Sequence, residues 1–141
     1  ELAGFIVCAK SPRFGMERVL LFVEKGNWCR KACTGLFTAA LMVNYPLLPI
    51  EDHGRLPAPV LRENFIARIF ALHALHALLA PGLSRHRLLA LHSRYKLPLP
   101  AHHQAGYRGI GPFVARLLEW DDLDAFFVRY REKLMALLRH P

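Results

Sequence analysis

The residues with the most chemistry to offer in this sequence are cations and rings set close together. Arg85, Arg87, Arg94, Lys96 and Arg108 share one stretch with His92, Tyr95, His102, His103 and Tyr107. Guanidinium and ammonium groups neutralise phosphates, and a neighbouring ring can stack on an unpaired base, the combination that commonly holds RNA. Between Glu63 and Glu119 there is no acidic residue, while Arg68, Arg85, Arg87, Arg94, Lys96, Arg108 and Arg116 all fall there. A solvated face of a basic protein is the plainer reading, but so long an acid-free stretch favours contact with a polyanion. If 84–95 is helical, Arg87 and Arg94 lie on nearly one stripe, Leu88 and Leu91 face the core, and Lys96 falls near the helix end.

Other candidate groups are weaker. His73 and His76 stand at helical i,i+3 spacing and His102-His103 could add ligands, but no Asp, Glu or Cys lies nearby, and zinc wants three or four ligands with an ordered surround. Histidines packed at an interhelix seam are the preferred reading, and no metal site is assigned. Cys8, Cys29 and Cys33 form an odd set, and Cys29-x3-Cys33 alone supplies two ligands, so free cysteines in a reducing cytosol are expected. Arg62-Glu63 and Glu17-Arg18 are read as structural ion pairs or caps rather than catalytic pairs.

Composition bounds what can carry these groups. With 141 residues and 53% hydrophobic content the chain can bury one sizeable core or two small ones. Its formal charge is +8, and eight histidines add to it below about pH 6.5. The longest apolar run, 65–80, is broken by Arg68, His73 and His76, so no segment reads as a membrane span. The chain enters an apolar strand within a few residues of Glu1, and a native start further upstream is expected.

Two regimes of secondary structure follow along the chain. Phe5-Ile6-Val7-Cys8 and 18–23 are short β-branched and apolar runs bounded by polar turns, as buried strands are. Thr34 is placed to cap a helix from Gly35 to about Asn44, which Pro46 stops, and 47–50 is expected as another short strand. Strand, helix and strand in that order suggest part of a parallel sheet. The remaining strands would come from an upstream segment or from a second copy of the chain in a homodimer.

A Gly- and Pro-rich stretch at 52–59 marks a boundary, giving domains 1–56 and 57–141. Beyond it Pro59 suits the first turn of a helix carrying Leu61, Phe65, Ile69, Leu72, Leu75 and Leu79, ended by Pro81-Gly82. Ser84 can cap a second helix reaching Tyr95, a third is expected over 112–120, and Asp121 or Asp122 caps a fourth. The fold class is therefore mixed α+β, a remnant of an α/β domain followed by a mainly helical one.

Three stretches carry a family resemblance. Lys10-Ser11-Pro12-Arg13-Phe14-Gly15-Met16-Glu17-Arg18-Val19, with Gly35-Leu36-Phe37-Thr38, resembles the last third of the TudS-type thiouracil desulfidase family. Leu47-Leu48-Pro49-Ile50-Glu51, Gly54-Arg55-Leu56 and Leu61-Arg62-Glu63-Asn64-Phe65 resemble the join between that domain and a YbgA-like helical domain. His92-Ser93-Arg94-Tyr95-Lys96-Leu97, Ala101-His102 and Tyr107-Arg108 resemble the signature of the YbgA-like domain itself.

The resemblance implies a full-length protein that removes sulfur from thiolated uracil, with 4-thiouridine in tRNA as substrate of fused forms. It also implies an iron-sulfur cluster on three cysteines, whose open iron would take the soft substrate sulfur. In the family's Ser-Pro-x-Cys-Gly motif the cysteine is a cluster ligand and the serine lies at the active site. Here Ser11 stands at the serine and Phe14 at the cysteine, and Cys8, Cys29 and Cys33 fall on no ligand position. The expectation is thus a chain without its own cofactor, inactive alone and cytoplasmic, that binds structured RNA, tRNA foremost. Its RNA contacts would be Arg85, Arg87, Arg94, Lys96, His92, Tyr95, His102, Tyr107 and Arg108, with Ser11 the one catalytic candidate. Two alternatives stand beside it: an iron-sulfur desulfidase in the intact protein, and a non-catalytic scaffold.

Overall fold

The computed structural model describes residues 2–11, 13–16, 19–21, 30–95 and 104–139, with the side chains of 19–21, 30–33 and 104–107 outside that description. The chain divides into two compact units, Glu1–Ile69 and Phe70–Pro141. Their mixture of short strands and dominant helices is the α+β class that the sequence pattern indicates.

The first unit contains β1 (Phe5–Val7), β2 (Val19–Leu21), β3 (Arg30–Cys33), α1 (Leu36–Asn44), β4 (Ile50–Asp52) and the opening turns of α2 (Pro59–Leu79). β1 and β4 pair in parallel, Phe5 opposite Ile50 and Val7 opposite Asp52, whereas β2, from the run at 18–23 expected to precede the helix in that sheet, lies in a separate antiparallel pair. β2 pairs antiparallel with β3, which the sequence hides because Arg30-Lys31-Ala32-Cys33 lacks an alternating apolar pattern. The strand expected over 47–50 begins at Ile50 instead. Pro49 has no N–H to give a ladder, though its carbonyl still accepts the Phe5 N–H at 2.9 Å. Val7, Leu48, Ile50 and Phe65 are buried in this unit.

The start of α1 also departs from expectation. Thr34 is not its cap; its hydroxyl donates to Met16 O at 3.0 Å, and the N-cap is Gly35, with no side-chain hydrogen bond. The preceding loop does the capping with its backbone, Arg13 O accepting the Phe37 N–H at 3.0 Å and Gly15 O accepting the Gly35 N–H at 2.7 Å. This approach demands glycine, because a Cβ on Gly35 would sit 2.5 Å from the Arg13 carbonyl carbon.

The second unit holds the rest of α2, then α3 (Arg85–Tyr95), α4 (Gln104–Ala115), a 3-10 turn (Arg116–Glu119) and α5 (Leu123–Leu138). Leu72, Leu75 and Leu78 of α2, Leu88 and Leu91 of α3, and Phe126, Tyr130 and Leu134 of α5 are buried. The stripe on α2 runs to Leu78 and leaves Leu79 exposed, since a 3.6-residue repeat drifts from a strict spacing of three and four. Gly82, at φ 92, turns the chain out of α2 with its N–H on Leu79 O at 3.1 Å. Ser84 Oγ accepts the Arg87 N–H at 3.3 Å and Asp122 Oδ1 the Ala125 N–H at 3.0 Å, so both expected caps form.

The helix expected over 112–120 is displaced. α4 starts at Gln104, runs through Gly109, Gly111 and Pro112, and gives way to the 3-10 turn from Arg116. Intrinsic propensity argues against that helix, and the burial of Ile110, Val114 and Leu117 outweighs it. Phe113 stacks on Phe126 at 4.5 Å between ring centroids, and Phe126 stacks on Tyr130 at 6.4 Å. Among the described residues, no helix is long and apolar enough to cross a membrane.

Candidate functional site

The basic residues of the second unit divide into those that hold the fold and those that face outward. Arg85 Nη2 donates to Trp120 O at 2.8 Å, tying the start of α3 to the turn before α5. Arg87 Nη1 donates to Gly82 O at 3.0 Å and to Leu78 O at 3.5 Å, so its charge sits on the open carbonyls at the end of α2. Arg94 on α3 and Arg108 on α4 are exposed and join no ion pair among the described residues. Lys96 and His102 lie outside the described residues, as does the side chain of Tyr107.

The rings are more deeply placed than the cations. Half-buried His92 meets Tyr130 Oη through Nδ1 at 3.1 Å, its ring edge-on to a tyrosine that is fully buried. Burial drives the Tyr130 hydroxyl well above its usual pKa of 10.0, and the neighbouring Tyr95 adds repulsion in the same direction. Burial likewise raises Tyr95, with Arg94 pulling the other way. Tyr130 therefore stays protonated, with half-buried His92 held against it. Two further ring-cation pairs escaped the sequence reading: Arg129 lies 5.4 Å from the Trp120 ring and Lys133 5.3 Å from the Phe113 ring. Lys133 and Phe113 sit on different helices, so no local spacing could announce their meeting.

Between α2 and α3 lies an open groove of about 250 Å³. Ala74, Ala77 and Leu78 line it from α2, and Arg87, Ala90, Leu91 and Arg94 from α3. Its floor is mostly methyl groups and its polar edge is two guanidinium groups.

In the first unit the polar residues gather where β1 and β4 end, the side on which parallel sheets present ligand sites. Ser11 Oγ accepts the backbone N–H groups of Arg13 and Phe14 at 3.4 and 3.3 Å, which bends the loop. No base hydrogen-bonds to Ser11 among the described residues, so nothing there raises its nucleophilicity. Glu51 and Asp52 are buried and were not anticipated as site residues. Arg55 Nε reaches Glu51 at 3.2 Å, and Asp52 Oδ1 accepts the Gly54 N–H at 2.8 Å. The signal for them was the strand end itself, which is legible only once the register is known.

His53 Nδ1 lies 3.8 Å from Asp52 but accepts the Ala9 N–H at 3.0 Å. The same nitrogen stands 3.4 Å from Val7 O. Arg62 reaches Leu56 O at 3.5 Å rather than Glu63, because adjacent residues on a helix do not face each other. Glu17 and Arg18 lie outside the described residues. His73 is exposed rather than packed at a seam, while His76 is half-buried.

Among the described residues no donor set fits an iron-sulfur cluster. Phe14, at the cysteine position of the resemblance, packs its ring on Phe37 at 5.2 Å, and a phenyl group offers iron no thiolate. Cys8 is exposed and free, whereas Cys29 and the side chain of Cys33 lie outside the described residues. Among the described residues no three His, Cys, Asp or Glu side chains converge as metal ligands.

The fold and this distribution of groups define a basic, predominantly helical α+β chain. It is similar to the uncharacterised protein YbgA of Escherichia coli strain K12, with 49% identity over 79 residues. The match covers 56% of this chain and 47% of the relative, so the chain spans about half the length of the protein it resembles. No family model matches the sequence. No solved structure matches it either.

Proposed function

We propose that this chain is the RNA-binding part of a thiouracil desulfidase-like protein, with structured RNA, tRNA foremost, as its partner and no catalysis of its own. The observation that carries the reading is the acid-free span between Glu63 and Glu119, whose described helices leave Arg94 and Arg108 exposed without a carboxylate partner among the described residues. A cationic surface free of internal neutralisation attracts phosphates and releases their counterions on contact. The desulfidase context rests on the resemblance of the Lys10–Val19 loop and the join, and the likeness to YbgA supports the helical part.

The test is tRNA binding by the full chain across a salt series, for wild type and for Arg94→Ala with Arg108→Ala. Micromolar binding that weakens steeply with salt is expected, the double variant flattening the slope by about 0.7 to 0.9 for each phosphate it no longer neutralises. Absence of binding at low salt overturns the reading and leaves the scaffold alternative. In the intact longer protein, sulfur release from 4-thiouridine-containing tRNA tests the desulfidase context separately.

A further inference from the structure

We propose that the groove between α2 and α3 seats one unstacked nucleotide of the bound RNA, its base against the alanine methyls and Arg87, its phosphate on Arg94. The inference rests on the RNA reading and adds to it a specific pocket and the part of the ligand that enters it.

Four observations lead there. The groove holds about 250 Å³, below the ~300–1,000 Å³ of pockets that bury drug-sized ligands and on the scale of a single nucleotide. Ala74, Ala77 and Ala90 line it with side chains too short to fill the space between the helices, and Leu78 and Leu91 complete an apolar lining. Arg87 is fixed at one end, because Nη1 is held by Gly82 O and Leu78 O. That anchoring leaves Nε and Nη2 of the half-buried Arg87 without a protein partner among the described residues, two donors free to reach a carbonyl oxygen of a base such as uracil.

The fourth observation is charge and spacing. Arg94 follows Arg87 by two helical turns, a rise of about 10 Å, comparable to the reach from a base edge to its phosphate. Neither arginine meets a carboxylate among the described residues. An apolar bed with cations at both ends complements an anion that carries a flat ring; a neutral apolar peptide would leave both charges unanswered.

The experiment uses the full chain with two RNA hairpins, identical except that one carries a single bulged uridine. Ala77→Leu with Ala90→Leu fills the groove from two exposed helical positions, where leucine is nearly as good a helix former as alanine. Circular dichroism checks that the helices persist. Wild type is expected to bind the bulged hairpin about tenfold more tightly than the paired one, as burial of roughly 60 Å² of apolar base surface would give. The filled variant is expected to lose that preference while keeping its affinity and salt slope for the paired hairpin. Equal binding of both hairpins by wild type, or a preference that survives filling, overturns the pocket while leaving general RNA binding intact. Uridine monophosphate titrated alone, if it binds in the groove while the hairpins are not distinguished, reassigns the groove to a free nucleotide and also overturns the proposal. Failure of either hairpin to bind at low salt overturns the RNA reading itself, and the pocket with it.

Discussion

Tyr130 concentrates several demands at one atom, since its fully buried hydroxyl has His92 Nδ1 at 3.1 Å and a pKa raised chiefly by desolvation. A phenol whose folded pKa lies above its unfolded value near 10.0 favours folding in its neutral form. That contribution is fully present below pH 10 and is lost as pH rises toward the folded pKa. Alkaline titration should therefore show the helical unit losing stability only above about pH 10, with tyrosinate absorbance appearing as it unfolds. Tyr130→Phe should shrink that alkaline limb, leaving the smaller part that the half-buried Tyr95 contributes, and cost about 1 kcal/mol at neutral pH, measured by urea denaturation. At this scale the sequence was legible wherever the partner is local. Ser84 and Asp122 were found as caps because an N-cap bonds two or three residues ahead, and Asp122→Ala should cost about 1 kcal/mol. Arg85 was read as a phosphate ligand, and nothing nearby in sequence announces its bond to Trp120 O, 35 residues on.

Elements were legible in proportion to how far propensity and packing agree. α2, α3 and α5 carry apolar stripes bounded by Pro59, Ser84 and Asp122, and each was located to within a residue or two. α4 was misplaced because its glycines and Pro112 speak against a helix that buried Ile110 and Val114 impose. β3 was missed because its pairing with β2, rather than its composition, makes it a strand. The start of α1 offers a sharp element-scale test. Gly35→Ala would drive a methyl into the Arg13 backbone, which has no flexible end to move aside, and should destabilise the first unit by at least ~1–3 kcal/mol. Leu36→Glu, at the neighbouring and 83% exposed first helical position, should instead stabilise α1 by about 0.3–1 kcal/mol. The helix has no acid in its first turn to meet its dipole. Comparing the two variants in urea separates steric from electrostatic control of this junction.

On the scale of the molecule, the class of fold was legible from the order of strands and helices, whereas the antiparallel pairing of β2 with β3 was not. The first unit leaves Val43 80% and Ile6 55% exposed beside a parallel sheet of two strands among the described residues. Small parallel sheets are normally covered on both faces, so this unit should gain stability from any segment that adds strands. Limited proteolysis should find 30–52 better protected in a chain extended by such a segment than in this chain alone. The parallel register itself has a consequence for biosynthesis. Phe5 pairs with Ile50, so β1 leaves the ribosome long before its partner strand exists. At roughly 5–20 residues per second, a few seconds pass in which its apolar edge has no native neighbour. Chaperone dependence during translation is then expected for this half of the molecule, added to whatever its thin covering costs it at equilibrium.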